Sequence, residues 1–143
     1  VMYGVIDFYK AAKAADIKPI IGCEVYVAPR TRFDKQHEFD AEARHLVLLC
    51  ENEEGYRNLS YMVSLAWTEG FYVKPRIDQA LLREHSKGLI ALSACLAGEI
   101  PRRLHFLQLR RGTSLFLCLL FFLFFDIVCA DCELYQSYVL IVC

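Results

Sequence analysis

The chain has 143 residues, 56% of them apolar, which is enough for one domain with a core of its own. Sixteen basic side chains against seventeen acidic ones leave a net charge of −1, which excludes the strong positive field of a self-sufficient nucleic-acid binder, so any role on DNA has to come from a larger assembly. Seven cysteines, an odd number, with Cys23, Cys50 and Cys95 far apart in apolar runs, exclude the framework of a small secreted protein and point to a reducing cytoplasm.

The opening Val1-Met2-Tyr3-Gly4 has no basic segment leading into a short apolar core, so nothing there reads as a secretory signal, and a first residue other than methionine suggests further sequence upstream. Val5, Phe8, Tyr9, Ala12 and Ala15 recur at helical spacing, which predicts an amphipathic helix over residues 3–15. Ile20 to Val27 is a short apolar run between prolines and reads as a buried strand, followed by a polar loop from Ala28 to Arg44 and a second strand from His45 to Cys50. Asn52 is placed to cap a helix through Ala66 with Tyr56, Leu59, Val63 and Ala66 on its inner stripe, and Asp78 to cap another through His85 that Gly88 closes. Leu89 to Ser93 is a third strand, and residues 98–104 start one more helix. Apolar strands alternating with helices predict an α/β fold whose strands are parallel and covered on both faces.

Composition changes near residue 105. All four prolines and all six lysines lie before it, whereas four of the seven cysteines and six of the ten phenylalanines lie after it. Leu115 to Phe125 is an unbroken apolar run with neither helical nor alternating polar spacing, ended by Asp126. It is shorter than the roughly 20 residues a membrane span needs, so a spanning helix is not favoured. The expectation is one domain over residues 1–104 and an unrelated hydrophobic tail over 105–143, arising from an out-of-frame or joined sequence after Leu104.

Three residues stand out chemically. Glu24 sits inside an apolar strand, where a carboxylate needs a cation, a donor network or a metal, the structural alternative being a nearby Lys or Arg. His45 opens the second strand, and Cys95 follows the third, where active sites of α/β proteins collect; either also reads as an ordinary core residue. A carboxylate, an imidazole and a thiol on three successive strands are donors that Zn²⁺ or Mn²⁺ would accept. The basic and aromatic segment Tyr72-Val73-Lys74-Pro75-Arg76 reads as a solvated loop, with contact to phosphate as the alternative. No glycine-rich phosphate loop, Cys-x-x-Cys pair or Gly-x-Ser-x-Gly elbow occurs, so no small-molecule cofactor is expected.

Gly22-Cys23-Glu24-Val25-Tyr26-Val27, Arg44-His45-Leu46-Val47-Leu48-Leu49, the segment from Glu69 to Asp78 and that from Gly88 to Pro101 closely resemble the PHP (polymerase and histidinol phosphatase) domain at the N-terminus of bacterial DNA polymerase III alpha subunits. The resemblance implies part of a distorted (β/α)7 barrel with metal ligands at one end, at positions that map to Glu24, His45 and Cys95. Further family ligands, an early His-x-His and Asp-His and a late Asp-x-His, would lie before Val1 and beyond the matching region. It also implies a parent that synthesises DNA with DNA and the other holoenzyme subunits as partners, and a fragment that is inactive alone because it lacks the palm carboxylates. A purely structural module bracing the polymerase and its proofreading subunit is the competing reading.

Overall fold

The computed structural model describes residues 2–94, residues 97–103 and the backbone of residues 138–142. In chain order these form helix α1 (Val5–Ala14), strand β1 (Lys18–Val27), the short helix α2 (His37–Asp40), β2 (Arg44–Cys50), α3 (Glu53–Thr68), the two-residue strand β3 (Arg76–Ile77), α4 (Gln79–Glu84), β4 (Leu89–Leu92) and β5 (Tyr138–Val142). The boundary expected near residue 105 and the apolar run of residues 115–125 lie outside the described residues.

Both expected caps form. Asn52 accepts from the backbone N–H of Gly55 at 3.0 Å and Asp78 from that of Leu81 at 2.9 Å, each satisfying a donor that the first turn leaves open. The buried stripe of α3 is Gly55, Leu59, Met62 and Ala66, rotated slightly from the expected Tyr56, Leu59, Val63 and Ala66. Gly55 has no side chain and presses directly on the turn before β4, which turns Met62 into the core in place of Val63.

The fold is mixed α/β, but the expected all-parallel sheet is not what forms. Strand order is β3-β1-β2-β4, with β5 also pairing to β1; β1–β2 and β2–β4 are antiparallel, while β1–β3 and β1–β5 are parallel. The loop between β1 and β2 holds no crossover helix beyond the four-residue α2, and β2 returns antiparallel; β4 also pairs antiparallel with β2 although α3 and α4 lie between them. Apolar runs do not distinguish the two directions.

Among the described residues, only one face is covered by helices. Along β1, burial alternates from Cys23 onward: Cys23, Val25 and Val27 are buried and Glu24 and Tyr26 are half-exposed. One face joins Leu48 of β2, Leu59, Met62 and Ala66 of α3, Ile77 of β3 and Leu81 of α4 in a single core. The opposite face carries the polar side chains.

Candidate metal centre

The register of the first two strands determines which side chains meet. Glu24 pairs with Val47 and Tyr26 with His45, so by the two-residue period Glu24, Tyr26, His45 and Val47 share the face away from α3. Glu24 and His45 are diagonal neighbours on it, close enough for polar side chains to touch. The Nδ1 of His45 lies 2.7 Å from the Oε1 of Glu24, and the two side chains are 23% and 36% exposed. The carboxylate therefore has its partner, and that partner is the second suspect rather than the Lys or Arg offered as the structural alternative.

The neighbours hold this pair in place. The Tyr26 ring stands edge-on to the imidazole at 5.0 Å and 82°, and the Lys74 Nζ sits 4.2 Å from the Tyr26 ring centroid. The His45 backbone N–H donates to the Ala97 carbonyl at 3.3 Å, and His45 forms a parallel bridge with Gly98. The chain after β4 thus returns to the His45 end of β2. Cys95 lies outside the described residues, so the structure brings together two of the three expected ligands.

The pair suits a metal in part. Carboxylate and imidazole are donors that zinc and manganese accept, and the contact through Nδ1 leaves Nε2 as the nitrogen that a metal could take. Among the described residues, no group of three His, Cys, Asp or Glu side chains converges, so these donors supply two corners of a site rather than a whole one.

The segment 72–76 departs from expectation. Lys74 is exposed as expected of a solvated loop, but Arg76 is wholly buried. Its guanidinium donates to the carbonyl oxygens of Gly70 (3.2 Å), Asp40 (3.1 Å), Arg32 (3.3 Å) and Asp34 (2.8 Å). Nearby, Asp40, also fully buried, accepts from the Arg30 Nε at 2.9 Å and from the Gln36 backbone, and Arg32 bridges Glu69 at 2.7 Å and Asp78 at 3.0 Å. This network was not legible in sequence, since a lone arginine beside a proline looks like surface; the only hint was an arginine directly before the apolar Ile77 and the capping Asp78.

Residues 1–116 match the family model described as PHP domain. The chain belongs to the PHP domain family. This PHP domain is 63% identical over 102 residues to the DNA polymerase III subunit alpha of Chlamydia muridarum, a stretch covering 71% of the chain and 8% of that protein. It is 61% identical over 102 residues to the subunit of Chlamydia trachomatis, with the same coverage, and 52% identical over 103 residues to that of Thermus aquaticus, covering 71% and 8%. The chain thus spans under a tenth of the length of these relatives. Among the described residues, no helix is long and apolar enough to cross a membrane.

Proposed function

We propose that this PHP domain is part of a bacterial DNA polymerase III alpha subunit, and that Glu24, His45 and Cys95 are ligands of a divalent metal, Zn or Mn, at one end of a (β/α)7 barrel of which the sheet described here is an arc. The observation that carries the reading is the Glu24–His45 pair, set by strand register on the face turned away from the core. A metal held by these residues would supply an activated water for phosphoester hydrolysis. Glu24 orients the imidazole, and Tyr26 packs against the ring and limits its rotation. In the parent protein the activity is DNA-directed DNA synthesis by other domains, in the cytoplasm, with DNA and further holoenzyme subunits as partners.

The test is metal content. The full-length protein carrying these residues is stripped with chelator, reloaded with Zn²⁺ or Mn²⁺ and analysed by mass spectrometry. Wild type should retain metal, and His45→Ala or Glu24→Ala should each weaken retention by about 100-fold, because either change removes one ligand and the contact that orients the other. A wild-type protein that stays empty after reloading sinks the metal reading. It would favour the structural-module reading, which the Arg76 network supports independently because that network fixes the domain's shape without a metal.

A further inference from the structure

A cleft of about 430 Å³, with His45 at its edge, opens between the end of β2, α4 and the helical turn of residues 99–103. Three arginines line it, Arg44, Arg83 and Arg103, against a single carboxylate, Glu99. Glu99 divides its two oxygens: Oε2 accepts from the Arg44 Nε at 2.9 Å and Oε1 from the Arg103 Nε at 2.6 Å. Each of those guanidiniums therefore meets Glu99 through its inner nitrogen, and among the described residues the outer Nη amines of both take no other acceptor. Arg83 has no carboxylate partner among the described residues; one Nη donates to the neutral Gln79 Oε1 at 3.1 Å.

The lining thus carries two more positive charges than negative ones. Leu46, Leu82 and Ile100 contribute apolar wall, and because Ile100 and Arg103 are largely exposed the attraction for an anion comes from the arginine forks themselves. Planar forks with unused outer amines suit tetrahedral oxyanions, which take several N–H donors at once.

We propose that this cleft is a phosphate-binding site, in which Arg44, Arg83 and Arg103 hold a phosphate group at the end of β2, Arg44 lying on the strand face opposite the Glu24–His45 pair. The phosphate is either free inorganic phosphate or the terminal phosphate of a nucleotide chain. The inference goes beyond the metal-site reading and does not rest on it, because anion binding needs only the arginines. Glu99 acts as the competing anion that holds Arg44 and Arg103 in place and tempers their pull.

The experiment titrates inorganic phosphate into the full chain in the presence of chelator, followed by ³¹P NMR and calorimetry, with circular dichroism to verify that each variant keeps its secondary structure. Arg83→Gln, which breaks no ion pair, should weaken phosphate binding by about tenfold or more, the usual loss when a charge-assisted hydrogen bond is removed. Glu99→Gln should tighten it, because two guanidiniums gain freedom; a merely structural role for Glu99 predicts loss instead. A 5′-phosphorylated dinucleotide that binds more tightly than phosphate, while its unphosphorylated counterpart does not bind, identifies the nucleotide source; equal binding of dinucleotide and phosphate identifies free phosphate. Absence of phosphate binding, or binding indifferent to Arg83→Gln, overturns the site. Phosphate binding by a protein that retains no Zn²⁺ or Mn²⁺ keeps the site and sinks the metal reading alone.

Discussion

Arg76 donates to four backbone carbonyls from a position without solvent exposure, and among the described residues no carboxylate forms an ion pair with it. Its burial pulls the guanidinium pKa down, with the nearby Asp40 opposing. The arginine remains interior because its five donors, held in a fixed fork, reach carbonyls contributed by separate stretches of chain, which a lysine ammonium could not span. Removing it leaves those carbonyls dry and unpaired. Arg76→Met should therefore destabilise the protein by about 3 kcal/mol in urea denaturation, with Arg76→Lys intermediate. Equal stability of Arg76→Met and wild type would show that water replaces the guanidinium at little cost. Cys50 illustrates a different effect of burial. Its thiol is pushed up to about 11, first by desolvation and then by the neighbouring Cys23, so it is no nucleophile at neutral pH.

At the scale of elements, the contact between α3 and the turn before β4 depends on two glycines. A Cβ on Gly55 would lie 1.8 Å from the Gly88 carbonyl oxygen, and Gly88 itself adopts a φ of +72°, which disfavours any other residue. Around this close approach, Asn52 caps α3 and the Asn58 Nδ2 donates to the Lys87 carbonyl at 2.9 Å. Helix and turn are thus joined by backbone proximity more than by side-chain burial. Gly55→Ala should cost about 2–3 kcal/mol because the two backbones must separate, against about 1 kcal/mol for Asn52→Ala, which removes only the cap. Thermal melts of both variants rank the effects, and the reverse order would show that the turn yields more easily than the close approach implies.

Across the whole molecule, the loop between β1 and β2 is braced internally through Asp40 and tied to α4 through Asp78, both carboxylates held in their charged form. Arg30 chiefly, and the Gln36 backbone N–H, hold Asp40 at about 2 against a burial penalty, well below the usual carboxylate range. Burial pushes Asp78 up, but hydrogen bonds from Leu81 and Arg32 outweigh it, and its pKa is also lowered. A carboxylate whose folded pKa lies below its unfolded value contributes stability that is complete above the unfolded value, near 3.8, and is lost as pH falls towards the folded one. Stability should therefore decline between about pH 4 and about pH 2, and Asp40→Asn should flatten that decline while lowering stability at neutral pH. Denaturation midpoints measured across this range check it; an unchanged acid slope in Asp40→Asn would assign the decline to other groups.

Periodicity and capping chemistry are local, so α1, β1, β2, α3, α4 and β4 were each legible within a few residues of their observed ends, as were Asn52 and Asp78 as caps. The suspicion of Glu24 and His45 was likewise local, resting on a charged and a titratable group among apolar neighbours. Strand direction was not legible, because an apolar run is the same in either direction and a helical connection does not fix it: β4 pairs antiparallel with β2 across α3 and α4. The sequence by itself determined the elements, their caps, the family and the polar residues that strand geometry would have to accommodate. Only the tertiary structure decided that Glu24 meets His45 rather than a surface cation, that Arg76 is interior, and that Arg44, Arg83 and Arg103 line one cleft: each is a contact between residues distant in the chain, and strand register and loop closure select such contacts only when the whole chain packs.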